Sequence, residues 1–428
     1  MSRSFFFIFF SVLFFESCQN EYELYNTIDT NSKYEINIDD ALNRLDKELA
    51  SIYKDSTLTN RRLVKKIEPI KYNKVAPTTR SNEIEVDNLL YVVEFENGQG
   101  SAILGADERV DDVFAILDKG VITIDEFVNS SDETSNNEIS SYLANKIKNE
   151  AINQIHESKN SNINYIETGL DFEQAKEQDT IVNKSSYVYI LTKWGQDSPY
   201  NDLCTHPLNP IVKCKAGCGP IAIGQILAHN QQNGTLVIDG ANFNMSRIYC
   251  KRPNHQRENN QLVNEEVSRF IKQIGVSMNA VYGIDLTITP YDMMFHFLND
   301  KTTYKNISDN TYDFNTIVNH IDNFNVPILV YDETHGWIID AYIWKEVQIK
   351  FTNKLPNTLP TTYTLNYSVK KVHCNFGYDG LYDGYYTNGI FNISSIRTGE
   401  NLVGQIGDKP GCAENDLGNN MHMVLYEK

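Results

Sequence analysis

The chain has 428 residues, enough for two or three domains that each bury a core. Its 41% hydrophobic and 11% aromatic content is that of a globular protein, not a disordered one. A formal charge of −18 argues against nucleic acid as a partner and against a basic patch on anionic lipid.

The first residues read as an address. Arg3 precedes an apolar run from Phe5 to Phe15, well short of the roughly 20 residues a membrane span needs. The run suits the apolar centre of an export signal. It ends in Phe15-Glu16-Ser17-Cys18-Gln19-Asn20, which resembles a bacterial lipoprotein signal with Cys18 as the lipidated new N-terminus. A plain secretory signal with an incidental Cys18 is the other reading. Both place the protein outside the cytoplasm, either lipid-anchored at a bacterial outer membrane or cell surface or secreted.

From there to about residue 165 the pattern is that of a small α+β unit. Ile38, Ala41, Leu42, Leu45, Leu49 and Ile52 recur at helical spacing. Leu89 to Phe95 is rich in β-branched and aromatic residues, Asn97-Gly98 turns the chain, and Ser101 to Gly105 returns it as a hairpin. A third strand is expected at Val121 to Ile124. A longer helix carries Ile139, Tyr142, Leu143, Ile147, Ala151, Ile152 and Ile155 on one face and breaks at Glu157 to Asn162. The polar stretch over 166–186 is expected to be a linker.

A second unit opens with an expected strand from Tyr187 to Leu191. It reaches Lys215-Ala216-Gly217-Cys218-Gly219-Pro220, a cysteine between glycines at the mouth of an apolar helix. A helix N-terminus lowers a thiol's pKa, and Pro220 fits a first turn. Two readings stand: a buried thiol heading a core helix, or a nucleophile. Further helices are expected around Val263 to Ile274, from Thr289-Pro290, and from Asp313 to Ile321. Strands follow at Pro327 to Tyr331 and Gly336 to Trp344, flanking a turn at Glu333-Thr334-His335. A helical half followed by an antiparallel half is an α+β pattern.

The sequence holds seven cysteines. With Cys18 and Cys218 set aside, Cys204, Cys214, Cys250, Cys374 and Cys412 remain, an odd number that cannot all pair internally. Cys204 and Cys214 are close enough to close a small loop, although spacing does not prove a disulfide. Cys214-x3-Cys218 lacks the second pair that a zinc site needs, so no metal or other cofactor is expected. Of the histidines, His229 lies three turns along the helix of Cys218, out of bonding range. His335, at a strand entry before Gly336, is the better partner, and His373, two residues before Asn375, is the next candidate.

The ordered pieces resemble the streptopain family of papain-like cysteine peptidases, in the form found in lipoproteins of Bacteroides-type bacteria. They are Trp194-Gly195-Gln196 with Pro199-Tyr200-Asn201, Gly217-Cys218 with Gln225, His335-Gly336-Trp337-Ile338-Ile339-Asp340, and Cys374-Asn375-Phe376-Gly377-Tyr378-Asp379-Gly380 with Asp383-Gly384-Tyr385-Tyr386. Tyr91 to Phe95 and Ala102 to Val110 are similar to the family's inhibitory propeptide. The resemblance implies a papain-like two-subdomain fold preceded by a small α+β propeptide domain. Its bounds would be a signal at 1–18, a propeptide at 19–165, a linker with the activation cleavage at 166–186 and a catalytic domain at 187–428.

The same resemblance makes Cys218 the nucleophile, His335 the general base and acid, and Asn375 the residue that orients the imidazole. Gln196, with the Cys218 N–H, would stabilise the oxyanion, and Gly217, Trp337 and Phe376 would line the substrate site. The implied partners are protein substrates and the chain's own propeptide as inhibitor. Phe376 and Tyr378 stand where the family usually has Trp, and a surface hairpin is expected between Lys345 and Lys371. Two other functions stay open: a surface pseudopeptidase that only binds proteins, and a Cys–His hydrolase of cell-wall amides.

Overall fold

The computed structural model describes residues 34–52, 62–75, 86–129, 139–160, 176–188, 190–249, 261–290, 292–353, 361–391 and 421–428. Cys18 and the export signal lie outside these residues, as do Cys250 and Cys412. Among the described residues no helix is long and apolar enough to cross a membrane.

The first half contains α1 (Ile38–Ile52), β1 (Val64–Lys71), α2 (Tyr72–Val75), β2 (Asn88–Phe95), β3 (Ser101–Gly105), β4 (Val113–Leu117), α3 (Ile124–Asn129) and α4 (Ile139–Asn160). Next come β5 (Lys176–Tyr187), the hairpin β6 (Thr205–His206) and β7 (Asn209–Lys213), α5 (Cys218–Asn230), a second hairpin of β8 (Thr235–Ile238) and β9 (Ala241–Asn244), and α6 (Met245–Ile248). The rest is α7 (Gln261–Ser277), α8 (Asp292–Lys301), β10 (Lys305–Thr311), α9 (Phe314–Phe324), β11 (Ile328–Tyr331), β12 (Gly336–Asn353), β13 (Thr361–Asn375), β14 (Gly384–Thr387) and β15 (His422–Glu427).

This is an α+β fold built on one antiparallel sheet in the order β1-β2-β3-β4-β14-β13-β12-β11-β15-β10, with β5 also paired to β12. The strand alternation sorts its two faces. Ile328, Val330, Trp337 and Ile339 point into a core shared with Leu143 and Ile147 of α4 and Ile317 and Ile321 of α9. Leu329, Tyr331 and Ile338 point the other way, into a core with Ile223 and Ile226 of α5, Phe270 and Ile274 of α7 and Phe297 of α8. Helices α5, α7 and α8 therefore cover one face, and α4 and α9 the other.

The seam between the early and late strands is main-chain pairing. Ala115, Ile116 and Leu117 of β4 face Tyr386, Tyr385 and Gly384 of β14. Asp118 N–H donates to the Asp383 carbonyl at 2.8 Å, and Tyr382 N–H to that of Lys119 at 2.9 Å.

Three expectations need correction. The strand that follows the hairpin is Val113–Leu117, not Val121 to Ile124, because its continuous apolar run is buried on both faces, and Val64–Lys71 adds a further strand before the hairpin. Ile124 instead starts α3. The expected linker is a strand from Lys176, paired along β12, so tertiary pairing overrides a polar sequence. The strand expected from Tyr187 to Leu191 ends at Tyr187, although Val188 and Ile190 still donate to the Asp340 carbonyl and carboxylate. The expected hairpin after Lys345 is present as the outer part of β12 and β13.

Leu143 of α4 is fully buried. Leu143→Ala should lower stability by about 2–5 kcal/mol through lost burial and a residual cavity, read as an earlier urea midpoint of the full chain.

Candidate active site

Cys218 is the first residue of α5, with Gly217 as its N-cap at φ 95° and ψ 140°. That φ suits glycine, and a Cβ there would stand 3.0 Å from Thr287 Cγ2. The loop before it is tied to the Gln196 segment by Ala216 N–H donating to the Gln196 carbonyl at 3.0 Å. Cys218 is partly exposed, and Gln196 is buried.

Backbone N–H groups of Gly336, the first residue of β12, and of Gly219 lie near enough to the sulfur to favour its charged form. Cys218 thus meets the strand entry right beside His335. Gly219 and Gly336 sit back to back, with Met294 of α8 wedged against both. Burial pushes the thiol pKa up; those N–H groups only partly offset it, and the Asp332 charge adds to the rise. The expected lowering at the helix N-terminus is therefore outweighed in this state.

His335 is buried and held by its turn. Asp332 Oδ1 accepts from Thr334 N–H at 2.8 Å and His335 N–H at 2.9 Å, and Asp332 N–H donates back to the His335 carbonyl at 2.9 Å. From α4, the Tyr142 ring meets the imidazole edge-on at 4.8 Å, and its hydroxyl donates to Asp332 Oδ2 at 2.6 Å. Lys146, one turn on, stands 4.0 Å from the same oxygen.

Asn375 ends β13 and is buried. Its Nδ2 donates to the Thr192 carbonyl at 3.1 Å, and its Oδ1 accepts from Gly377 N–H at 3.1 Å and Gln225 Nε2 at 3.0 Å. Trp337 and Phe376, expected at the substrate site, are instead buried in the core, 5.8 Å apart, with Tyr142 beside Trp337. Gly217 is buried at the nucleophile loop. Cys204 and Cys214 are both free thiols on facing positions, Cys214 N–H donating to the Cys204 carbonyl.

His373 is not part of this cluster. Its Nδ1 lies 2.6 Å from Asp340 Oδ1 and its Nε2 3.2 Å from Asp118 Oδ2. Burial pulls the imidazolium down, but the Asp340 charge and the bonds to both carboxylates prevail and raise its pKa to about 10. Burial pushes Asp118 up, yet the His373 bond outweighs it and brings Asp118 down to about 2. Asp118 is 38% exposed and screened by water, so the wholly buried Asp340 is the stronger partner. Asp332 and Tyr142 were missed in the sequence, although Asp332-Glu333-Thr334-His335 carries the signature of an Asx turn.

A cysteine heading a core helix, against the strand entry that carries a histidine, is the arrangement of a cysteine peptidase. Residues 194–386 match the family model described as the Peptidase C10 family, the streptopain family. A solved fragment of prointerpain A from Prevotella intermedia is similar at 16% identity and a TM-score of 0.45, covering 81% of this chain and 98% of that one. Active interpain A cysteine protease from the same organism is similar at 16% identity and a TM-score of 0.36, covering 56% and 93%. Comparison with curated proteins gave no match.

The His373 cluster makes stability depend on pH with a definite sign. A raised histidine contributes fully below its ordinary 6.5 and loses that contribution as pH rises toward 10. A lowered carboxylate contributes above its ordinary 3.8 and loses it as pH falls toward 2. His373→Gln, which leaves the buried Asp340 without its ion-pair partner, should cost about 3–5 kcal/mol between those bounds. The gap from wild type, followed as urea midpoints across pH, should narrow on both sides.

Proposed function

We propose that the chain is an exported, lipid-anchored cysteine endopeptidase made as a latent precursor. The observation that carries this reading is Cys218 at the N-terminus of α5, with the following Gly219 packed against Gly336, the residue next to His335. In the working enzyme His335 takes the thiol proton, and the thiolate attacks the scissile carbonyl. The oxyanion is stabilised by the Cys218 N–H and the Gln196 amide, and His335 returns the proton to the leaving amine. Water, deprotonated by His335, then opens the thioester and frees the thiol. Asn375 accepts from the imidazole and fixes its tautomer.

Residues 19–165 act as the inhibitor, with α4 as the contact. Tyr142 against His335 and on Asp332 holds the imidazole in place. Cleavage in the 166–186 region would start activation. Pairing of Lys176–Tyr187 with β12 favours a cut upstream of Lys176, since a peptidase needs its substrate strand unpaired. Cys18 supplies the lipid anchor, and proteins are the substrates.

The test is Cys218→Ala in the full chain. It should neither mature nor hydrolyse casein, whereas wild type does both and gains a new N-terminus before residue 176. A mutant that matures by itself and cuts casein sinks the assignment.

A further inference from the structure

Thr287 is buried in a short closed turn, where Val281 N–H donates to the Ile288 carbonyl at 2.8 Å and Ile288 N–H returns the bond at 3.0 Å. Its hydroxyl is used twice. It donates to the Lys215 carbonyl at 2.6 Å and accepts from Gly283 N–H at 3.3 Å. A carbonyl only accepts and an N–H only donates, so the hydroxyl proton is directed at Lys215. The Lys215 carbonyl and the Ala216 N–H belong to one planar peptide. At its other end that peptide donates to the Gln196 carbonyl at 3.0 Å. One peptide in the loop that leads to Cys218 is thus held from both sides, by Thr287 and by the Gln196 segment.

We infer that Thr287 is a positioning residue for the hydrolysis proposed above, its hydroxyl holding the Lys215–Ala216 peptide so that Gln196 and the Cys218 N–H keep the spacing an oxyanion needs. The inference rests on that reading of Cys218 and Gln196. Valine in place of Thr287 keeps the shape and sets a methyl against the Lys215 carbonyl. An acceptor left unpaired against apolar surface costs more than an ordinary paired bond contributes. The bond from Ala216 to Gln196 therefore does not hold the peptide alone. The plane turns its carbonyl toward water and takes the Ala216 N–H off Gln196. The bond from Lys215 N–H to the Gly283 carbonyl at 3.1 Å belongs to the preceding peptide and does not oppose that rotation. Oxyanion donors act where an oxyanion develops, and alkylation of the thiol at a saturated carbon develops none. Misplaced donors slow amide hydrolysis and spare alkylation, whereas a general loosening around the sulfur slows both.

The experiment compares wild type, Thr287→Val, Thr287→Ser and Cys218→Ala, each as the full chain processed by a trace of wild-type enzyme whose own activity is measured alone and subtracted. Hydrolysis of a peptide amide gives kcat and KM, and Cys218 alkylation by iodoacetamide is followed by peptide mass spectrometry. Thr287→Val should lower kcat about 10–100-fold, with KM and the alkylation rate each within about threefold of wild type. Thr287→Ser keeps the hydroxyl and should restore kcat to within about threefold. Three results overturn the inference: a Thr287→Val kcat like that of wild type, an equal fall in kcat and alkylation, or a Thr287→Ser no better than Thr287→Val.

If Thr287→Val does not fold, as judged by circular dichroism, Thr287→Ala takes its place and the same split between kcat and alkylation is expected. Cys218→Ala separates the two claims. Activity in that control above the trace removes the peptidase reading itself, whereas an inactive control beside an unslowed Thr287→Val removes only the role of Thr287.

Discussion

The carboxylate of Asp332 is where the two halves of the chain meet the proposed chemistry. One oxygen accepts the N–H groups of Thr334 and His335 and so shapes the turn into β12. The other accepts the Tyr142 hydroxyl from α4. The carboxylate that builds the histidine's turn is also the handle by which α4 grips it. The Tyr142 ring, edge-on to the imidazole, occupies space that the ring would sweep through in any reorientation.

What keeps α4 there is more than that contact. The early strands continue the later sheet through β4 and β14, and the core under α4 contains Trp337, Tyr386 and Phe391 beside Leu143 and Ile147. His373 adds charge to the seam by standing between Asp340 of β12 and Asp118 just after β4. Main-chain ladder, apolar core and ion pair have different dependences on pH and salt, so no single change of solvent undoes them together. This favours covalent cleavage over a solvent trigger as the route to activity.

Much of this was legible in the sequence because local chemistry dictated it. Gly217 and Pro220 bracket Cys218 as an N-cap and first turn should, and α1, α4, α7 and α9 follow their apolar spacing. The approach of His335 to the Cys218 helix was legible only through the order of the motifs, since no spacing rule joins residues so far apart. β5 escaped because its polar residues form a strand only by pairing with β12. β4 escaped because a run buried on both faces carries no alternation to read. Phe376 was expected to line the substrate site; buried between Trp337 and Tyr386, it serves packing in this state. The thiol's pKa went the other way from expectation, because helix polarity is a surface-scale effect and burial outweighs it.

The central claim is that Cys218 is a nucleophile held in reserve. Its most direct measurement is the intact mass of the full chain and of the processed chain after exposure to an epoxide inhibitor of papain-like peptidases. The account predicts one adduct, mapped to Cys218, on the processed chain and essentially none on the full chain. An adduct formed equally fast on both would contradict latency, and none on either would contradict the nucleophile.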